Sequence, residues 1–167
     1  LQPPGVAIGH ITPTLDSDGV VRRLQAVWCY QQTCSPTLGL RIFMHLTGAS
    51  SLLSVTHPWQ GTTLELSPDA GIHIPLAGDG SIVLPYRLGP DAFAVVSAAD
   101  LLQGKADPAL LANSIVLIGS TALGVGDRIT TPQGSLMPGI TVHAELLAGL
   151  LDNFYIAHPP YASLIWL

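Results

Sequence analysis

The chain has 167 residues, a formal net charge of -5, 48% apolar residues and 10% charged ones. That length amounts to one domain with ample material for a packed interior, and the apolar fraction excludes disorder. Globular chains carry about 25% charged residues, so so little charge points to an apolar partner or a bilayer nearby. The six basic residues, Arg22, Arg23, Arg41, Arg87, Lys105 and Arg128, are dispersed, and without a basic stripe to neutralise phosphates nucleic-acid binding is excluded.

The segment GVAIGHI (5–11) has the apolar density of a short strand, and LDSDG (15–19) supplies the Asp and Gly residues of a tight turn. The return strand is VVRRLQAVWCY (20–30), which completes an N-terminal hairpin. Ser35 before Pro36 is a helix-start signal, and the helix runs to Gly48 with Leu40, Phe43 and Met44 toward a sheet. TTLELS (62–67) returns to strand. From Gly71 the glycines and prolines predict short strands and turns through 90.

FAVVSAADLLQG (93–104) predicts a strand entering a helical turn, capped by Ser97 and stopped by Gly104, and a second capped turn covers 107–111. SIVLIGS (114–120) is a continuous run rich in β-branched residues, the pattern of a strand buried on both faces and so of a mostly parallel sheet. A Gly-rich loop follows, and ITVHAELLAGLLD (140–152) predicts a helix. Ile140, Ala144, Leu147 and Leu151 form its apolar stripe, with Glu145 and Asp152 opposite. Together these elements predict an α/β fold, a mixed, mostly parallel sheet flanked by helices, with residues 1–160 forming one domain.

The loop after 120 lacks the Lys-Ser/Thr of a P-loop and the third glycine of a dinucleotide fingerprint. It does bring Ser120, Thr121, Asp127 and Thr131 to the carboxyl end of the expected central strand, where open α/β sheets place their ligand crevices. His143, on the buried side of its helix, joins them as a ligand-binding residue and needs a polar partner, for which Asp127 or Thr131 would serve. Equally, Asp127 and the threonines would hold the loop's shape through backbone amides. A hydrolytic triad of Ser120, His143 and Asp127 lacks the strand-turn-helix GxSxG setting, and the chain is expected not to be an enzyme. The histidines form no metal-ligand spacing, and Asp16 and Asp18 in DSDG make a turn rather than a calcium loop. No metal or cofactor is expected.

Cys29 and Cys34 in CYQQTC are too few for a zinc cluster. A disulfide and two free thiols both fit the spacing, and only an oxidising compartment would keep a bridge closed. The chain opens at LQPPG without an initiator methionine, as an excised segment would. YASLIWL (161–167) follows a double proline without charge and reads as the start of a transmembrane helix, with a C-terminal strand as the alternative.

Several phrases together resemble the class-two CHASE sensory domains: DSDGVVRR (16–23), the IP and DG pairs at 74–75 and 79–80, YR at 86–87 with Gly89 and Pro90, and SAADLLQG (97–104). The strongest run is 111–151, with IGST, GxGD, TP, MPG and HA elements. The resemblance implies a periplasmic domain of a bacterial inner-membrane receptor, homodimeric, anchored through flanking helices. A kinase, nucleotide cyclase or diguanylate cyclase module would follow in the same polypeptide, answering a small-molecule or environmental signal. Family domains extend further on the N-terminal side, and the family has no generally assigned ligand residues. The rival expectations are a secreted hydrolase using Ser120 and His143 and a ligand-free dimerisation module.

Overall fold

The computed structural model describes residues 6–58, 60–66, 71–89, 91–120, 128–134 and 136–157. In chain order the strands and helices are β1 (Pro13–Leu15), β2 (Val21–Gln25), β3 (Val27–Tyr30), β4 (Thr33–Pro36), α1 (Leu38–Thr47), β5 (Leu52–His57), β6 (Gly61–Leu66), β7 (Ile72–Leu76), β8 (Ser81–Val83), α2 (Ala98–Leu102), β9 (Arg128–Thr130), β10 (Leu136–Pro138) and α3 (Gly139–Leu151). A single 3-10 turn, Pro108–Leu110, follows α2.

These strands form four small sheets among the described residues: β1-β2-β8, β3-β4, β5-β6-β7 and β9-β10. Every strand pair in them is antiparallel, and parallel pairing is confined to two isolated bridges, His10 with Thr37 and Val20 with Thr130. The expected mostly parallel sheet flanked by helices is therefore corrected to small antiparallel sheets with few helices. Connections explain the difference, because turns of a few residues join β1 to β2, β3 to β4, β5 to β6 and β9 to β10, and such turns permit only antiparallel neighbours.

The segment 114–120 carries the largest correction. It lies outside any strand, and Ile115, Val116 and Ile118 are 46%, 54% and 88% exposed. It meets the body at Gly119, where an added Cβ would stand 2.7 Å from Ile140 Cβ. The whole stretch from 91 to 120 buries no residue; α2 and the 3-10 turn have none, and Val95 and Leu102 are above 80% exposed. The caps read from sequence nevertheless form, with Ser97 Oγ accepting from Ala99 N–H at 3.2 Å and Asp107 Oδ1 from Ala109 N–H at 2.9 Å.

The N-terminal hairpin exists with a shifted first strand, Pro13–Leu15 rather than 5–11. Asp16 N–H donates to Val20 O and Gly19 N–H to Asp16 O, closing a turn in which Gly19 takes φ +78°. The expected return strand, 20–30, breaks at Ala26. There Ala26 N–H donates to Gly80 O and its carbonyl accepts Thr37 N–H, so the chain leaves one sheet and starts the next hairpin. Ser35 and Pro36 are consequently occupied opposite Trp28 and Val27 in β4, and the helix begins two residues later behind Thr37. Gly48 ends α1 in the left-handed conformation, its N–H and that of Ala49 reaching back to His45 O and Met44 O.

One core unites these pieces: Val21 and Leu24 from β2, Leu40, Phe43 and Met44 from α1, Leu64, Leu66 and Ile74 from the β5-β6-β7 sheet, and Val142, Leu146, Leu147 and Leu150 from α3. The helix α3 is enclosed on several sides. Gly39 of α1 packs on the His143 carbonyl, and Pro85 lies against Gly149. The Glu145 side chain, expected on an outward face, is 1% exposed.

Candidate functional site

The predicted ligand residues divide into three groups. Thr131 and His143 are core residues, 1% and 3% exposed, Thr131 closing the β9-β10 turn through its carbonyl, which accepts Gly134 N–H at 3.0 Å. Ser120 is exposed at the end of the unpaired segment. Thr121 and Asp127 lie outside the described residues. Beside His143, the space bounded by Ile11, Pro13, Leu24, Ile129, Gly139 and Val142 measures about 10 Å³, no more than one water requires. The imidazole thus sits within packing, and the space beside it is too small for a ligand. Ser120 is exposed, whereas His143 is buried with an interaction of its own.

A much larger concavity, about 520 Å³, opens where the β1-β2 turn meets β8, lined by Asp16, Ser17, Asp18, Arg22, Arg23, Ala77 and Val83. It is built by the DSDGVVRR phrase. The tight turn folds Asp16 and Asp18 back over β2, and Arg22 bridges both, donating Nη1 to Asp16 at 2.9 Å and Nη2 to Asp18 at 2.8 Å. Arg23 pairs with Asp16 at 2.8 Å and with Asp79 at 3.3 Å. The Arg22 guanidinium holds the Asp18 carboxyl at about 2, helped by the Val20 amide, and Arg22 itself is shifted upward by the two carboxylates. Asp79 is also lowered, first by the Ser81 hydroxyl, which donates at 2.5 Å. The result is an alternating network of two guanidiniums and three carboxylates. Sequence reading treated DSDG as a turn and did not gather Asp79 with it, because 79 lies on a different turn brought alongside by the β2-β8 pairing.

Cys29 and Cys34 stand directly opposite in β3-β4 and are joined, S–S 2.03 Å. Both are exposed near the hairpin tip, flanked by Trp28 and Tyr30 at 52% and 73% exposure.

A third feature escaped the sequence reading. Glu145 is buried beneath the segment that joins β8 to α2, its carboxylate approached by the Leu88 amide without a well-formed hydrogen bond. Tyr86 in that segment takes φ +41° and donates its hydroxyl to Val21 O at 2.6 Å. Gln133 Nε2 donates to Tyr86 O and Leu88 O. Burial raises the Tyr86 phenol above its ordinary range, with the Glu145 charge adding to it. Among the described residues no group of three potential metal ligands gathers, and no helix is long and apolar enough to cross a membrane.

The chain is a member of a family of extracellular sensory domains. That family is CHASE2: its domain model matches residues 2–167, and the chain belongs to it. No curated protein and no solved structure matches the chain. The role of a CHASE2 domain is sensory and not catalytic.

Proposed function

We propose that this chain is the periplasmic input domain of a bacterial transmembrane receptor. It passes an environmental signal to a kinase, nucleotide cyclase or diguanylate cyclase module in the same polypeptide. The observation that carries this reading is the family match over residues 2–167. The exposed disulfide agrees with it, since such bridges persist in oxidising compartments. In this reading the receptor is a homodimer; residues 161–167, read from sequence as the start of a membrane helix, lie outside the described residues.

The signal-binding residues are Ser120, Thr121, Asp127, Thr131 and His143, on the stretch that runs from the Gly119 contact on Ile140 into α3. Ligand acts by binding one conformation more tightly than the other, and it shifts the population by no more than that difference. The space beside His143 holds no more than one water, and residues 121–127 of this group's loop lie outside the described residues.

Two measurements test the proposal. A reporter active only outside the cytoplasm, fused after Ala157 in the native gene, is expected to be active; an inactive reporter overturns the extracytoplasmic assignment. A thermal-melt screen of the purified chain against ions, osmolytes, metabolites and peptides is expected to give a specific hit. At roughly 100 times its dissociation constant a ligand adds about 2.7 kcal/mol, and folded Asp127→Ala should lose that gain. A hit that both Asp127→Ala and His143→Ala retain places the ligand elsewhere.

A further inference from the structure

Glu145 is one of only two glutamates in the chain, with Glu65 the other. Its side chain is 1% exposed, and neither oxygen makes a well-formed hydrogen bond, the Leu88 amide being the one backbone donor directed at it among the described residues. A carboxylate so deeply buried is costly to ionise, which favours retention of the proton. Burial shifts this group upward, while the Leu88 amide and the Arg87 charge pull the other way. Yet the Arg87 guanidinium is engaged elsewhere. Its Nη2 donates to Asp152 at 3.0 Å, and the group lies 4.5 Å from the centre of the Phe154 ring.

Glu145 and Asp152 are seven residues apart on α3 and its C-cap, which places them on one face about 10 Å apart along the axis. Arg87 therefore has two carboxyl groups within its field, one buried on α3 and one exposed at the C-cap. We propose that Glu145 is a proton-operated latch. With its proton, it lies sealed under Tyr86–Leu88 while Arg87 clamps the end of α3; on releasing the proton to solvent, it draws Arg87 away from Asp152 and loosens that segment from the helix.

The competition favours the transfer. The Arg87–Asp152 pair is 39% and 53% exposed, the kind of surface contact that contributes little, whereas an ionised Glu145 needs a counter-charge to remain buried. Among the described residues the other titratable or charged groups on the elements around it are these. Tyr86 keeps its proton at any pH where Glu145 titrates. His143 lies two residues away on α3 with an interaction of its own, and Tyr155 follows the helix. The facing helix α1 carries Arg41 and His45, and β10 carries no ionisable residue. Because the folded state holds the Glu145 proton more tightly than the unfolded chain, the closed arrangement is favoured at low pH. That preference is lost as pH rises through the raised value. The signal sensed would then be acidification, a reading that rests on the sensory role, although the latch itself does not.

Carboxyl-carbon NMR of the chain tests the latch directly, with Glu65→Gln identifying the Glu145 signal by elimination. Amide hydrogen exchange across the same pH range reads residues 86–89 and 152–155. The expected result is a Glu145 midpoint above the ordinary glutamate range, with exchange at both stretches rising at least tenfold through that midpoint. Glu145→Gln should abolish the pH-linked part of the rise. Titration in the ordinary range, or unchanged exchange through the midpoint, overturns the proposal whether or not a receptor signals through this domain. If Glu145→Gln does not fold, the same exchange measurement on Asp152→Asn decides, because removing the competing carboxylate should lower the Glu145 midpoint; an unmoved midpoint overturns the latch.

Discussion

Gly39 of α1 and His143 of α3 meet at the backbone: a Cβ at Gly39 would stand 3.0 Å from the His143 carbonyl oxygen and 3.1 Å from Leu146 Cδ2. The two helices cross where one of them has no side chain, and this brings Leu40, Phe43 and Met44 against Val142 and Leu146 in a shared core.

Gly39→Val should therefore destabilise the chain. The leucine tip can move but the carbonyl belongs to a helix, so the overpacking cost is about 1–3 kcal/mol. Denaturant unfolding with an unchanged slope and a lower midpoint would show it. An unaffected midpoint would mean the helices are free to separate.

Removing the hairpin bridge by Cys29→Ser with Cys34→Ser should cost about 2 kcal/mol on the chain-entropy relation for so short a loop. Because β3 and β4 also pair through backbone, the far-ultraviolet circular dichroism should stay unchanged while the thermal midpoint falls. Loss of the folded signal altogether would show that the bridge is needed for folding.

Tyr86→Phe deletes the hydroxyl that donates to Val21 O at 2.6 Å. A buried carbonyl loses its partner, at a cost of about 1–3 kcal/mol. The tyrosine also fixes the 84–89 segment over α3, so its amides should exchange faster in the variant, a local effect that a general loss of stability would not confine to that segment.

Acid should loosen the β1-β2 turn. Asp18 is depressed to about 2 by Arg22, and Asp79 is lowered by Ser81 and Arg23. For groups with depressed pKa values the stabilisation is present above the unfolded value and is lost as pH falls through the folded one, here from about pH 4 down to about pH 2. Wild type should lose stability over that window, and Asp18→Asn with Asp79→Asn should flatten the loss. An unchanged acid limb in the double variant would assign it to other carboxylates.

How far the sequence was legible depends on whether a residue's fate is local. The caps at Ser97 and Asp107, the turn at DSDG and the helix over 140–152 are set within a few residues, and each forms close to where it was read. His143 was placed inward by its helical stripe and is buried. The run 114–120 failed because β-branched composition states a preference for extended, two-sided burial, while strand formation needs a neighbour to accept the backbone. Glu145 failed for the converse reason: charge put it outside, yet Tyr86, Arg87 and Leu88 close over that face from 57 to 59 positions away. The cysteine spacing left two states open until the hairpin register set 29 opposite 34. Of the ligand group, Thr121 and Asp127 fall outside the described residues, and the polar concavity at Asp16 and Arg22 was visible only as a turn.

The exposed run from Ile115 to Ile118 has a further consequence, one of solution behaviour. Nothing charged interrupts it, and it pairs with no strand among the described residues, so copies of this chain carry a template for stacking strand on strand. Concentrating the isolated chain should select for fibrillar precipitate over time. A single lysine at 118 acts there as a gatekeeper, repelling the next copy without entering the core.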